Sequence, residues 1–202
     1  MPKKAFFNLK EEKQEVIFTV AFEEFSKHQY MDASINKIVQ NSGISRGSFY
    51  LYFEDKLDVY LFTTGKVMEK QSQLFLSKML NKERSDVFKI FRELFLFNIH
   101  LLSDPMYSQY FKNLYLGMNY DIWRYIREKQ GRLRENAYKQ LDFNNQGDSS
   151  NEYTEALMSI LEMINRDMLT KKIFEDLNCE SVLRLYDIRI ELLKKDGGRE
   201  DE

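Results

Sequence analysis

The sequence predicts an all-α protein, and three observations support this prediction. The chain of 202 residues contains only two prolines, Pro2 and Pro105, and eight glycines, so long stretches lack helix-breaking residues. Leu, Lys, Glu, Met and Arg, which all form helices readily, are abundant. Apolar residues recur every three or four positions, which places them on one face of a helix. The expected architecture is an N-terminal three-helix domain joined by a long helix to a larger helical domain.

The N-terminal helices are predicted from apolar spacing and caps. The first covers residues 10–27, where apolar side chains fall on one side. A short second helix over residues 35–41 is capped by Ser34. Gly43 favours the left-handed conformation that ends a helix, and Ser45 caps a third helix reaching about residue 51. Two short helices joined by a tight glycine turn, behind a longer helix, form the helix-turn-helix pattern.

The rest of the chain is also predicted to be helical. Asp55 is a suitable cap for a long fourth helix over residues 56–80, and Asp58 extends the capping pattern. A loop is predicted over FNNQGDSS, residues 143–150. The remaining predicted helices cover residues 85–102, 105–114, 118–141, 151–171 and 180–195. The predicted domains are a helix-turn-helix domain (8–55), a larger helical domain (56–196) and a disordered tail (197–202).

Composition limits the class of protein. Hydrophobic residues make up 43% of the chain and charged residues 31%, as in soluble globular proteins. The single cysteine, Cys179, cannot form an intramolecular disulfide, and neither a membrane span nor a signal-peptide core is present. We therefore expect a cytoplasmic protein. The sequence contains no metal-ligand cluster, phosphate loop or nucleophile motif, so we expect no metal, no cofactor and no enzymatic activity.

The most specific motif is GISRGSFYLYFEDK, residues 43–56. Together with IFTVAFEEF in the first helix and YMDASINKIVQNSGIS through the second helix and turn, it resembles the DNA-binding domain of the tetracycline-repressor (TetR) family over residues 13–60. The resemblance implies a sequence-specific transcriptional regulator. It further implies a ligand-responsive repressor that acts as a homodimer on a palindromic double-stranded DNA operator.

The residue types of this motif suit a helix that enters the major groove. Small residues at its first turn let the backbone approach DNA, and Arg46 is the one long donor there, with guanine O6 and N7 as its best partner. Phe49 and Phe53 lie four residues apart and are expected to face the core. The predicted DNA-contacting residues are Ser34, Lys37, Ser45, Arg46, Gly47, Ser48, Tyr50, Tyr52 and Lys56.

Some of these residues have a structural explanation as well. Capping alone would account for Ser45, and Lys37 is equally consistent with a solvated charge. Residues 1–58 also hold eight Lys or Arg against nine Asp or Glu, so one subunit is expected to make few phosphate contacts. A dimer would double them.

For the C-terminal helices the resemblance implies a ligand-responsive core and a homodimer interface. The last predicted helix carries two apolar stripes, so one of them is expected to meet a partner chain, the alternative being a helix buried in a monomer. The predicted interface residues are Leu157, Ile160, Leu161, Ile164, Met168, Leu185, Ile188 and Leu192. An aromatic-rich stretch, explained mostly by ordinary core packing, is also expected to line a pocket for a small hydrophobic or aromatic ligand. The predicted pocket residues are Phe91, Phe95, His100, Tyr110, Tyr115 and Trp123.

A second class of protein remains open from the sequence. The chain would then be a helical interaction protein that keeps the helix-turn-helix as a scaffold without regulating DNA. DNA binding that is absent or insensitive to salt would favour this alternative.

Overall fold

The computed structural model describes residues 1–79, 87–141, 151–175 and 177–196. Within these residues the chain forms ten α-helices and no strand. The helices are α1 (Lys4–Phe7), α2 (Glu11–Lys27), α3 (Ile35–Ser42), α4 (Arg46–Tyr52), α5 (Lys56–Met79), α6 (Val87–Leu101), α7 (Pro105–Leu116), α8 (Tyr120–Leu141), α9 (Asn151–Phe174) and α10 (Cys179–Asp196). The all-α prediction is confirmed, and α2 to α10 each begin within two residues of a predicted start. The predicted loop 143–150 and tail 197–202 lie outside the described residues.

The long helix α5 begins with the capping pattern that the sequence predicts. The Asp58 N–H donates to Asp55 Oδ1 at 2.8 Å. In return, Asp58 Oδ2 accepts from the N–H of Glu54 at 3.0 Å. These bonds satisfy backbone donors that a helix start leaves free, and they fix the residue at which α5 begins.

Helix α1 was missed from the sequence because four residues are too few to show a helical period. Phe6 is fully buried, and its ring lies 5.2 Å from that of Phe53 and 4.9 Å from that of Phe62, measured between centroids. The N-terminal segment, which precedes the predicted domain start at residue 8, therefore belongs to the same core as α4 and α5.

The chain divides into two compact units, and the first comprises Met1–Leu76 and Pro105–Ala137. Helices α7 and α8 thus pack with the N-terminal helices, although they follow the predicted boundary at residue 55. Asn113 on α7 is buried and donates to the carbonyls of Phe25 at 3.1 Å and Ser26 at 2.9 Å. This amide satisfies carbonyls at the end of α2, which joins α7 firmly to that helix.

Helix α8 approaches α5 closely at Gly65. A Cβ atom at this position would overlap the hydroxyl of Tyr125, so only glycine leaves room for the tyrosine as it stands. One turn further along, Lys129 on α8 forms an ion pair with Glu69 on α5. Glycine is unfavourable within a helix, and here the close approach of Tyr125 explains its presence.

The second unit consists of the described parts of Ser77–Asp104 and Tyr138–Glu202, in which α6, α9 and α10 pack around one apolar cluster. Phe95 on α6 stacks on Tyr186 of α10, with 4.1 Å between ring centroids and 9° between ring planes. Arg92 forms a two-pronged ion pair with Asp187, with N–O distances of 2.8 and 2.9 Å. These contacts fix α10 against α6.

Candidate nucleic-acid interface

The start of α3 is held by two oxygen acceptors. Ser34 Oγ accepts from the N–H of Lys37 at 3.5 Å, and the Ser34 N–H donates to Glu24 Oε1 at 2.8 Å. The Glu24 side chain is buried on α2. Ser34 is therefore a half-buried N-cap, as predicted, whereas Lys37 is exposed on the first turn of α3.

The turn between α3 and α4 takes the predicted glycine geometry. Gly43 is left-handed, with φ 63° and ψ 36°, and the N–H of Ile44 donates to the carbonyl of Val39 at 3.3 Å. Lys13 on α2 donates to the carbonyl of Ser42 at 2.8 Å and to that of Gly43 at 3.4 Å. The lysine satisfies carbonyls at the end of α3 and fastens the turn to α2. Its role was not predicted, because α2 and the turn are far apart in sequence.

The first turn of α4 is capped and open to the outside. Ser45 Oγ accepts from the N–H of Ser48 at 2.9 Å, and the two hydroxyls lie 2.8 Å apart. Gly47 is exposed, and a Cβ atom built on it would meet only Ser45 Oγ, at an ordinary 3.7 Å. Within the described chain, therefore, no neighbouring atom requires a glycine at this position.

Arg46 is held in an exposed cluster with two other side chains. Its Nη1 donates to Oδ1 of Asn36 on α3, and its Nη2 donates to the Tyr50 hydroxyl at 3.4 Å. The guanidinium carbon also lies 5.6 Å from the centre of the Tyr50 ring. The structure thus brings together two predicted DNA-contacting residues, Arg46 and Tyr50, with one that was not predicted, Asn36.

The opposite face of α4 packs inward. Phe49 and Phe53 are fully buried with their ring centroids 5.4 Å apart, which confirms the predicted core role of both. Lys3 donates from its N–H to the carbonyl of Tyr52 at 2.8 Å and from Nζ to that of Tyr50 at 3.2 Å. The N-terminal segment therefore supports the C-terminal end of α4, where backbone carbonyls lack partners within the helix.

Two predicted DNA-contacting residues are occupied by contacts within the protein. Tyr52 is half-buried, and its ring lies 6.2 Å from that of Phe6. Lys56 Nζ donates to the carbonyls of Met31 at 2.7 Å and Ala33 at 3.1 Å, and it lies 5.1 Å from the centre of the Tyr30 ring. Lys56 thereby fastens the loop between α2 and α3 to the start of α5.

The acidic residues of the N-terminal segment lie outside the two helices of the motif. Residues 33–53, which include all of α3 and α4, contain no Asp or Glu but carry Lys37 and Arg46. Glu24 and Asp58 are buried and hold helix starts, and Glu15 pairs with Lys70. Helices α3 and α4 themselves therefore carry net positive charge, although residues 1–58 as a whole are slightly acidic.

The predicted pocket residues divide between the two compact units. Phe91 and Phe95 are buried in the core of the second unit, and His100 is exposed at the end of α6. Tyr110 lies instead in the core of the first unit, where its hydroxyl is 2.9 Å from Thr64 Oγ1 and burial raises its pKa well above the ordinary value. Of the other two, which belong to α7 and α8, Tyr115 is half-buried and Trp123 is exposed.

The predicted interface residues divide between core and surface. On α9, Leu161 and Met168 are buried in the core of the second unit, and Leu157 and Ile164 are half-buried against the same core. Ile160 is exposed.

On α10 one apolar stripe faces the core and the other does not. The buried stripe consists of Val182, Tyr186 and Ile190. The predicted interface stripe, which consists of Leu185, Ile188 and Leu192, is exposed.

Two further findings concern sites of other kinds. Among the described residues, no group of three or more His, Cys, Asp or Glu side chains is arranged to hold a metal ion. No helix in the same part of the chain combines the length and the apolar character that crossing a membrane requires.

The capped α4, its open first turn and the absence of acidic residues from α3 and α4 are features of a helix-turn-helix DNA-binding protein. Comparison with known protein families identifies the family to which the chain belongs. Residues 17–61 match the N-terminal domain of the bacterial regulatory proteins of the tetR family, and residues 86–196 match the tetracyclin repressor-like C-terminal domain. The chain belongs to the TetR family and is a DNA-binding transcriptional regulator.

Solved structures share the fold over nearly the whole chain. A TetR family transcriptional regulator from Chloroflexus aurantiacus J-10-FL is 23% identical, with 97% of this chain and 98% of that chain covered and a TM-score of 0.52. The transcriptional regulator FadR from Bacillus subtilis, in complex with stearoyl-CoA, is 16% identical, with 89% and 96% covered and a TM-score of 0.68. The fatty acid degradation regulator FadR from Bacillus halodurans is 18% identical, with 89% and 94% covered and a TM-score of 0.61. No curated protein matches the sequence significantly.

Proposed function

We propose that this regulator is a ligand-responsive repressor that binds a palindromic operator as a homodimer, with α4 in the major groove. The observation that carries the proposal is the first turn of α4, where Gly47 is open and Arg46 is exposed beside it. A recognition helix contacts base edges through its N-terminal residues, and a missing side chain at Gly47 lets the backbone come close. Two such helices, one from each subunit, would occupy successive major grooves.

The proposed DNA contacts fall into two groups. Arg46 reads a base edge, since a guanidinium fork matches the two acceptors of guanine. Lys37, Tyr50 and the hydroxyls of Ser45 and Ser48 bind phosphate or sugar oxygens and position the helix. Ser34, Tyr52 and Lys56 contribute mainly by holding the interface together, because each is already engaged within the protein.

The homodimer is proposed to form through the exposed apolar stripe of α10. Leu185, Ile188 and Leu192 recur at intervals of three and four on a helix whose other apolar stripe already faces the core. Ile160 and Met163 add exposed apolar surface on α9. A two-fold pairing of these surfaces would cover both copies at once, as cyclic dimers do.

The ligand is proposed to bind in the helical second unit. Two buried polar atoms there, Asn165 Oδ1 and the Tyr186 hydroxyl, have no hydrogen-bond partner among the described residues. Buried polar groups normally have one, so a ligand with a polar group next to an apolar body would satisfy them. Binding would favour a dimer whose α4 helices are wrongly spaced for the operator and would weaken DNA binding by population shift.

Selection from random-sequence DNA with the purified full chain tests the DNA-binding part. We expect a palindrome with two half-sites about one helical turn apart, and an affinity that falls as salt is added. Enrichment of no sequence, or equal affinity for the selected and scrambled duplexes, would contradict the proposal.

Release from the selected operator tests the ligand. Because the B. subtilis FadR structure contains stearoyl-CoA, long-chain acyl-CoA thioesters are the first compounds to try, with coenzyme A alone as the control. We expect one class of apolar compound to lower operator affinity at least tenfold while raising the melting temperature of the protein. Operator affinity that stays constant across acyl-CoA and aromatic compounds would contradict the ligand-responsive part alone.

A further inference from the structure

We propose that Asn36 is a positioning residue that holds the Arg46 guanidinium in place to read a guanine in each half-site. The inference rests on the proposed DNA contact by Arg46. Asn36 lies in the first turn of α3 and Arg46 begins α4, so the contact crosses from one helix of the motif to the other. Only the packing of α3 against α4 brings the two side chains together.

The geometry leaves Arg46 restrained on two sides. Asn36 Oδ1 accepts from Nη1, and the Tyr50 hydroxyl, one turn along α4, accepts from Nη2 at 3.4 Å. All three side chains are exposed, so this arrangement stands at the surface that meets DNA. A long side chain held in one orientation before binding loses less conformational entropy when it binds.

The remaining hydrogen-bond capacity of the cluster favours one base. A guanidinium carries five N–H donors, so three stay available after the bonds to Asn36 and Tyr50, which is enough for a two-pronged contact. Since Arg46 donates, Asn36 offers its oxygen to the guanidinium, and the free donors of Arg46 are the ones that meet the base. In the major groove guanine presents two acceptors, whereas adenine and cytosine present amino groups that would oppose these donors.

Two substitutions of Asn36 separate positioning from direct contact. Asn36→Ala removes the acceptor for Nη1, and we expect the preference for guanine at one position of each half-site to fall on the order of tenfold. Asn36→Asp keeps an acceptor for Arg46 but adds a negative charge. We expect it to retain the guanine preference while weakening binding to all sequences alike.

The matched control is Lys37→Ala, which alters the neighbouring exposed residue in the same turn of α3. Loss of a phosphate contact should lower affinity uniformly and leave every base preference unchanged. All these side chains are exposed, so the melting temperatures should stay close to that of the wild type.

The experiment combines random-sequence selection with affinities for operators carrying each base at the selected guanine. It uses the full-length wild type, Asn36→Ala, Asn36→Asp, Lys37→Ala, Arg46→Ala and the double variant Asn36→Ala/Arg46→Ala. We expect Asn36→Ala and Arg46→Ala to lose preference at the same position, and the double variant to discriminate no worse there than Arg46→Ala. This non-additive result is what a residue that acts through Arg46 produces.

Three outcomes would overturn the inference while the proposed function stands. In the first, Asn36→Ala retains the full guanine preference. In the second, the losses of the two single variants add, and in the third, Asn36→Asp loses the preference as Asn36→Ala does, which would indicate direct contact with the base. A wild-type protein that selects no sequence overturns the proposed function itself, and the inference with it.

Discussion

Substitutions of Gly47 should affect the stability of the fold and the affinity for DNA in different ways. Gly47→Ala introduces a methyl group that meets only Ser45 Oγ at 3.7 Å, and alanine is favoured over glycine in helices by about 0.5–1 kcal/mol. We therefore expect a slightly higher melting temperature, measured by circular dichroism, together with weaker operator binding, measured by mobility shift. Gly47→Met should fold equally well and bind far less. Wild-type affinity in Gly47→Met would show that this turn does not approach DNA.

The two lysines predicted to contact DNA should behave differently. Lys56→Ala removes two bonds from an ammonium to the carbonyls of Met31 and Ala33, and we expect a loss of about 1–3 kcal/mol in the free energy of unfolding. Lys37→Ala should leave this free energy unchanged and reduce the magnitude of the slope of log affinity against log salt by about 2, about 1 for each subunit of the dimer. Urea unfolding and salt titrations of both variants provide the measurement. Equal stability of the two variants would contradict the structural role of Lys56.

Residue type alone was enough to predict the helix caps and the glycine turn, which depend on local chemistry. Ser34, Ser45 and Gly43 were predictable as caps and turn because each acts on backbone within a few residues. The roles of Asn36 and Lys13 were not predictable, since each depends on an approach between segments that only the folded chain creates.

At the scale of elements, α1 is a four-residue helix whose contribution rests on one side chain. Phe6→Ala empties a fully buried site between Phe53 and Phe62, and we expect it to lower the free energy of unfolding by about 3–5 kcal/mol. Phe7→Ala is the matched control, because the Phe7 side chain is 57% exposed and its loss should cost less than about 1 kcal/mol. Urea unfolding followed by circular dichroism compares them. Similar stabilities of the two variants would mean that α1 does not support α4 as described.

A strong cap or a first-turn proline made the starts of some helices predictable. Pro105 begins α7, and Ser45 precedes α4, as the sequence indicates. The assignment of α7 and α8 to the first compact unit was not predictable from order along the chain. It depends on contacts between distant residues, such as Asn113 with the end of α2 and Tyr125 with Gly65.

At the scale of the whole molecule, buried tyrosines should make the fold sensitive to alkali. Burial raises the pKa of Tyr60, Tyr110 and Tyr186 above their ordinary value near 10. In the unfolded chain these phenols lose their protons above about pH 10, whereas in the folded protein they keep them, so stability is retained below that pH and falls as pH rises further. We expect part of the tyrosinate absorbance to appear only together with loss of helical circular dichroism. Complete tyrosine ionisation in a protein with full helical signal would contradict this burial.

The proposed dimer would cover an exposed apolar surface of α10 that a single chain leaves unexplained. Leu185, Ile188 and Leu192 are exposed on α10, while Leu161 and Met168, predicted from the same apolar spacing on α9, are buried. Periodicity alone cannot distinguish these cases, since a stripe facing the core and one facing a partner have the same pattern.

Ile188→Glu places a charge in the middle of the exposed stripe without disturbing the core of the unit, so we expect a folded monomer. Glu191→Gln is the control, because it alters an exposed side chain of the same helix that lies outside the stripe and should leave assembly unchanged. Sedimentation at micromolar concentration measures the state of assembly, and binding to whole and half operators measures the consequence. The monomer should bind both duplexes weakly and alike, because joining two half-sites raises affinity only when both subunits engage. A wild-type protein that sediments as a monomer would overturn the proposed dimer. An Ile188→Glu variant that remains a dimer would place the partner on another surface.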